Sequence, residues 1–179
     1  MSKNALIVAV CGIFACLGMG VCLVRAGVIR PPQTQPRIDS SKFYRVTYVD
    51  DGDTFRVDVD AHEVRVRMLG INTPETVDPR KKVQCYGPEA SADTKSLLKH
   101  QKVRLTFSPD REMRDKYGRY LAYVYREDGM FVNEFLLENG FAKEYTVGKP
   151  YDLQSEFRAI EAKARQDRVG LWTVCQTGI

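Results

Sequence analysis

The sequence predicts a β-rich α+β fold: a five-stranded barrel with about three packed helices, preceded by an N-terminal transmembrane or signal segment. Three observations carry this. Five short segments alternate apolar and polar residues with the period of two expected of half-buried strands. Apolar residues recur at helical spacing toward the end of the chain. Ahead of both, Ala5 to Val24 form an unbroken run of apolar and small residues without a charge.

That run has the length of about 20 residues a helix needs to cross a bilayer core, with Lys3 before it and Arg25 after it. It reads as an uncleaved anchor or as a signal peptide removed after export. Its length and the poor cleavage sequence Val24-Arg25-Ala26 favour the anchor. Ile13-Phe14-Ala15-Cys16 only half fits a lipid-attachment site, because Phe14 is bulky. Residues 1–30 are therefore assigned to the anchor or signal, residues 31–42 to a stiff proline-rich linker, and residues 43–175 to the folded domain.

Within the domain, Tyr44, Val46 and Tyr48 share a face of the first strand. An Asp-Gly turn leads to Phe55–Val59, and Val64–Leu69 follows. Gly87-Pro88 opens a helix to about His100, proline suiting the first turn. Val103–Phe107 is a fourth strand. Tyr120–Tyr125 is a fifth, turning at Asp128-Gly129 into Met130–Val132. A short helix spans about Asn133–Asn139, with Gly140 as its stop. The last helix, about Leu153–Arg168, aligns Leu153, Phe157, Ile160 and Ala164, and Leu171-Trp172 forms an apolar tail. This order suits a closed antiparallel barrel of the OB type, with helices outside.

The net charge of +4 is concentrated at the N-terminus. Setting aside Lys3, Arg25 and Arg30 leaves 24 basic against 23 acidic side chains, a net of +1. Bulk charge is thus no argument for nucleic-acid binding. With only His62 and His100 and no close Cys or His pairs, a zinc site is disfavoured. Cys11, Cys16 and Cys22 lie in the apolar run. Cys85 and Cys175 remain, either as a disulfide tying the chain end to the loop before the first helix or as two unpaired thiols.

Three clusters could carry chemistry. Asp50-Asp51-Gly52-Asp53-Thr54 reads first as a hairpin turn. Asp53 is more acid than a turn requires, and three close carboxylates repel unless a cation or arginines neutralise them. In Arg67–Glu75, alternation turns Arg67 away from the core toward a surface groove, while Pro74 holds Glu75 beyond a strand end, where loops on rigid scaffolds place reactive groups. Asp115-Lys116-Tyr117-Gly118-Arg119 offers a second arginine and a ring on which a base can stack.

Taken together, Asp-Gly-Asp-Thr at 51–54, Arg67, Asn-Thr-Pro-Glu at 72–75, Tyr-Gly-Pro-Glu-Ala-Ser at 86–91 and Asp-Lys-Tyr-Gly-Arg at 115–119 resemble the staphylococcal (micrococcal) thermonuclease family. Leu121-Ala122-Tyr123, Val132-Asn133-Glu134, Gly140-Phe141-Ala142-Lys143 and Trp172 extend the resemblance over roughly residues 43–172. It implies an OB-fold phosphodiesterase, a calcium-dependent endonuclease that hydrolyses DNA and RNA to 3′-phosphorylated products. By the same resemblance Asp53 is a calcium ligand, Thr73 contributes its backbone carbonyl, and Asn72 stands where the family's reference enzyme has a second aspartate. Glu75 acts as general base on the attacking water or orients it, Arg67 and Arg119 hold the scissile phosphate, and Lys116 and Tyr117 contact the nucleotide. Tyr145 stands in for a nucleotide-contacting tyrosine, its register left open.

The residue types suit this chemistry. Arginine offers planar paired donors matched to phosphoryl oxygens, and calcium accepts irregular sets of oxygen ligands. The expected partners are DNA or RNA and, through the N-terminal segment, a membrane, with no protein partner and a monomeric state. Because a non-specific nuclease inside the cell would attack its own genome, the domain is expected outside the cytoplasm, tethered or secreted. Two alternatives stand beside this: a non-catalytic OB-type module that binds single strands without turnover, and an anchored interaction domain indifferent to nucleic acid. The first has no need of an acid beside the phosphate. The second leaves Asp53, Arg67, Glu75 and Arg119 without a reason to coexist.

Overall fold

The computed structural model describes residues 36–76 and 82–175. The proposed anchor or signal at 1–30 and the start of the linker lie outside the described residues. Among those described, no helix is long and apolar enough to cross a membrane.

Chain order is β1 (Phe43–Asp51), β2 (Thr54–Val59), β3 (His62–Met68), β4 (Ile71–Asn72), α1 (Gly87–Leu98), β5 (Lys102–Thr106), β6 (Tyr120–Arg126), α2 (Val132–Glu138), β7 (Lys143–Glu144), α3 (Gln154–Gln166) and α4 (Leu171–Val174). Strands β1-β2-β3-β6-β5 close into the five-stranded barrel. It is not wholly antiparallel, because an odd number of strands cannot alternate direction around a closed ring. The one parallel pair joins β3 to β6, with Val66 opposite Tyr120 and Arg67 opposite Leu121. Between these strands the chain makes the long crossover that parallel pairing requires, carrying α1 and β5.

Inward side chains of the barrel strands form the core: Phe55 and Val57 from β2, Val66 and Met68 from β3, Leu105 from β5 and Val124 from β6 are all at most 1% exposed. Leu98 of α1, Leu136 and Leu137 of α2 and Phe157 of α3 complete it. Ile38, within the stretch assigned to the linker, also belongs to this core, and the Tyr120 hydroxyl donates to the Pro36 carbonyl at 2.8 Å.

Several sequence expectations shift. Tyr48 does not share the inner face of β1 with Tyr44 and Val46. A register shift against β2 between Val46 and Tyr48 leaves Tyr48 58% exposed and turns Val49 inward, as an inserted bulge residue reverses alternation. The Leu171-Trp172 tail is a fourth, short helix. The two-residue ladder of β4 with β7, pairing Ile71 with Glu144 and Asn72 with Lys143, is too short to leave a period in the sequence.

Candidate active site

The turn between β1 and β2 places the first acids. Asp51 and Thr54 close it around Gly52 and Asp53. Gly52 is required by crowding: a Cβ there would lie 2.6 Å from Thr73 Oγ1. The Thr94 hydroxyl of α1 fixes the same turn from behind, donating to the Gly52 carbonyl at 2.8 Å. Asp53 is thereby held against the β4 exit, where its carboxylate accepts the Thr73 N–H at 3.1 Å and the Thr54 hydroxyl at 3.0 Å.

The three carboxylates of this cluster have separate partners, and two of them are neutralised by arginine. Asp50 pairs with Arg56 at 2.6 Å. Asp51 accepts the Thr76 hydroxyl at 2.7 Å. Asp53 forms an ion pair with Arg67. Burial pushes the Asp51 carboxyl above the ordinary carboxylate range, and the charges of Asp53 and Glu75 add to it, against the opposing Thr76 bond. Arg67 does face the outer side of β3, but it is not the open groove residue that alternation alone suggests. Its side chain is 12% exposed, enclosed between Asp53 and Asn72.

Asn72 completes a closed polar ring. Arg67 carries only donors, so the amide oxygen of Asn72 must face it, at 3.0 Å. The amide N–H group is left for the Thr73 carbonyl, at 3.2 Å. Beyond β4, the backbone of Glu75 is tied in both directions to Gln84: the Glu75 N–H donates to Gln84 Oε1 at 2.9 Å, and the Gln84 N–H donates to the Glu75 carbonyl at 3.0 Å.

The second arginine comes from the loop before β6. Asp115 organises it, accepting the backbone N–H of Tyr117 at 2.9 Å and of Arg119 at 3.0 Å, and binding the Arg119 guanidinium at 2.7 Å. The parallel register and strand alternation put Arg67, Leu121 and Arg119 on one face. Tyr117 projects from the loop, 72% exposed, with Lys116 and Arg119 at 5.1 Å and 5.4 Å from its ring centre. Tyr145, 48% exposed, is placed by its N–H bond to the Gly70 carbonyl at 2.9 Å.

All nine residues singled out in the sequence border a single cleft of about 930 Å³: Asp53, Arg67, Asn72, Thr73, Glu75, Lys116, Tyr117, Arg119 and Tyr145. The sequence reading passed over four residues that hold these in place. Thr94, Gln84 and Asp115 act as described, and the buried Asn133 bridges the Leu69 carbonyl and the Val124 N–H at 2.9 Å each. Asp115 and Asn133 lay inside motifs already noted, but no local pattern in the sequence assigns a partner to a lone Thr, Gln or Asn.

The family described as staphylococcal nuclease homologue matches residues 65–174. The thermonuclease of Staphylococcus intermedius is 45% identical over 131 residues, covering 72% of this chain and 75% of that protein. The chain belongs to the staphylococcal nuclease family. The thermonuclease of Staphylococcus hyicus is 42% identical, with 73% and 75% coverage. Endonuclease YncB of Bacillus subtilis strain 168 is 41% identical, with 69% and 58% coverage. As a member of this nuclease family the chain is a phosphodiester hydrolase.

The oxygen donors of Asp53, Asn72 and Thr73 are of the type a hard cation takes. Among the described residues no group of three His, Cys, Asp or Glu side chains could hold a metal ion. Any site here depends on the mixed set of the Asp53 carboxylate, the Asn72 amide oxygen and the Thr73 carbonyl. These are all oxygens, and irregular oxygen sets are what calcium accepts; in this structure Asp53 and the Asn72 oxygen engage Arg67 and the Thr73 carbonyl accepts the Asn72 N–H, so a cation would take the place of these contacts.

Proposed function

We propose that this nuclease is calcium-dependent, cleaves DNA, RNA or both to 3′-phosphorylated products, and works outside the cytoplasm, either tethered by residues 1–30 or secreted. The observation that carries the reading is the gathering, in one cleft, of two arginines with the Asp53–Asn72–Thr73–Glu75 group, Arg67 in direct contact with Asp53 and Asn72. A phosphodiester placed there meets Arg67 and Arg119, whose paired donors fit the phosphoryl oxygens and stabilise charge gathering on them in the transition state. Glu75 takes the proton of the attacking water. Calcium, when bound by Asp53, Asn72 and Thr73, orients that water and offsets developing charge. Tyr117 and Tyr145 offer exposed rings to the flanking bases, and Lys116 adds a cation beside the Tyr117 ring. An acid aligned with a phosphate clamp favours turnover over the binding-only alternative.

The test is cleavage of single-stranded DNA and of RNA by the purified chain with calcium or with chelator. Loss of cleavage with chelator and its return with calcium are expected; cleavage indifferent to both would end the calcium reading.

Asn72 sets the strength of metal binding in this reading. Its N–H group occupies the Thr73 carbonyl, and its neutral oxygen brings no charge. In Asn72→Asp the carbonyl is released and a second carboxylate is added, so calcium should bind on the order of ten-fold more tightly, since affinity follows ligand charge. Calorimetric titration of parent and variant checks this. Equal dissociation constants would show that Asn72 is not a ligand position.

A further inference from the structure

Glu75 lies on irregular chain beyond β4. Its fixing comes from the segment just before α1, in which four consecutive residues are each anchored. Gln84 exchanges two hydrogen bonds with the Glu75 backbone, at 2.9 Å and 3.0 Å. Cys85 is disulfide-bonded to Cys175, 90 residues later. Tyr86 stacks on Phe141 with ring centres 5.8 Å apart. Gly87 packs so closely on the Glu75 segment that a Cβ would lie 2.7 Å from Thr76 and 3.2 Å from the Glu75 carbonyl. Thr76 in turn donates to Asp51.

We infer that Gln84 is a positioning residue for Glu75, and that the Cys85–Cys175 disulfide holds Gln84 in register, so that the cleavage rate depends on the oxidation state of the chain. The inference rests on the role proposed for Glu75. Gln84 is not among the residues lining the cleft; it acts by fixing the N–H and C=O of the residue that carries the base. A proton-transfer group must sit within hydrogen-bond reach of its water, and a displacement near 1 Å is enough to lower the rate up to a hundred-fold. Substrate binding depends on Arg67, Arg119 and Tyr117, which lie on other elements and keep their places. Cys85 is exposed and Cys175 partly so, which leaves the bond open to a reductant. A dithiol passes two electrons and two protons to it, leaving two cysteine thiols and its own disulfide.

The test compares the full chain with Gln84→Ala, Gln84→Glu and Cys85→Ser/Cys175→Ser on single-stranded DNA with calcium, at a temperature where circular dichroism shows each folded. Gln84→Ala, with its disulfide intact, should lose about ten-fold in kcat at unchanged KM. Gln84→Glu keeps an acceptor for the Glu75 N–H and should recover most of that loss. Dithiothreitol should lower kcat of the parent reversibly, with no effect on the double cysteine variant, whose kcat is already low. If Gln84→Ala keeps the parent kcat, or loses KM and kcat together without rescue by glutamate, the inference fails and the nuclease reading stands. If reduction leaves the parent rate unchanged, the disulfide has no part in it. A parent that cleaves nothing overturns the proposed role of Glu75 and this inference with it.

Discussion

Glu75→Gln should lower kcat on single-stranded DNA by about 10²- to 10⁴-fold, the range usual for loss of a positioned general base, while KM stays within about two-fold because the loss falls on the transition state. Glutamine keeps the size of the side chain and leaves the backbone exchange with Gln84 intact, so the backbone is held as before while the basicity is removed. Glu75 is one of the charges that push the Asp51 carboxyl upward, so the substitution also removes a like-charge repulsion among acids that the site concentrates. A folded but nearly inactive variant is the expected pattern, read from kcat, KM and circular dichroism together. A kcat within three-fold of the parent would exclude Glu75 as the base and leave the arginines and the metal to account for the rate.

The barrel was legible because its strands are half-buried and alternate: Phe55, Val57, Val66, Met68, Leu105 and Val124 all point inward as their period requires. Where the period breaks, the reading broke with it. The bulge after Val46 depends on pairing with β2, and the parallel β3–β6 contact on ring closure, and neither is a local property of the chain. The site was legible for a different reason. Its nine residues were found by resemblance across separated motifs, and the fold brings them to one cleft. What stayed hidden is the set of partners. The neighbours of Arg67 gave no sign that Asp53 and Asn72 enclose it, and Gly52 reads as an ordinary turn glycine until Thr73 is seen packed against it. Such relations join residues from 5 to about 20 positions apart, and sequence spacing carries no trace of them. Asn72 is intermediate: its identity was noted as a departure from the family, but its hold on the Thr73 carbonyl emerges only from the requirement that its oxygen face Arg67.

Replacing both cysteines of the 85–175 pair by serine should cost the fold about 4.6 kcal/mol, on the chain-entropy estimate for a closed loop of this length, within a usual range of roughly 2–5 kcal/mol. The sequence left a disulfide and two unpaired thiols both open; the structure joins them, across a separation of 90 residues. The bridge spans most of the domain, from the segment before α1 to the end of α4, so its loss frees the unfolded chain of its longest constraint. For a domain of this size that should lower Tm by roughly 10–20 °C, measured by calorimetry on oxidised parent and variant. The loss should fall mainly on the unfolding equilibrium, since α4 keeps the buried Leu171 as an anchor and the Leu171 N–H still donates to the Gly140 carbonyl at 2.9 Å. Reduced parent and double variant should therefore melt together. A separation of more than a few degrees between them would mean that the serines, not the missing bond, set the stability, and an unchanged Tm in both would mean that α4 packing alone holds the chain end.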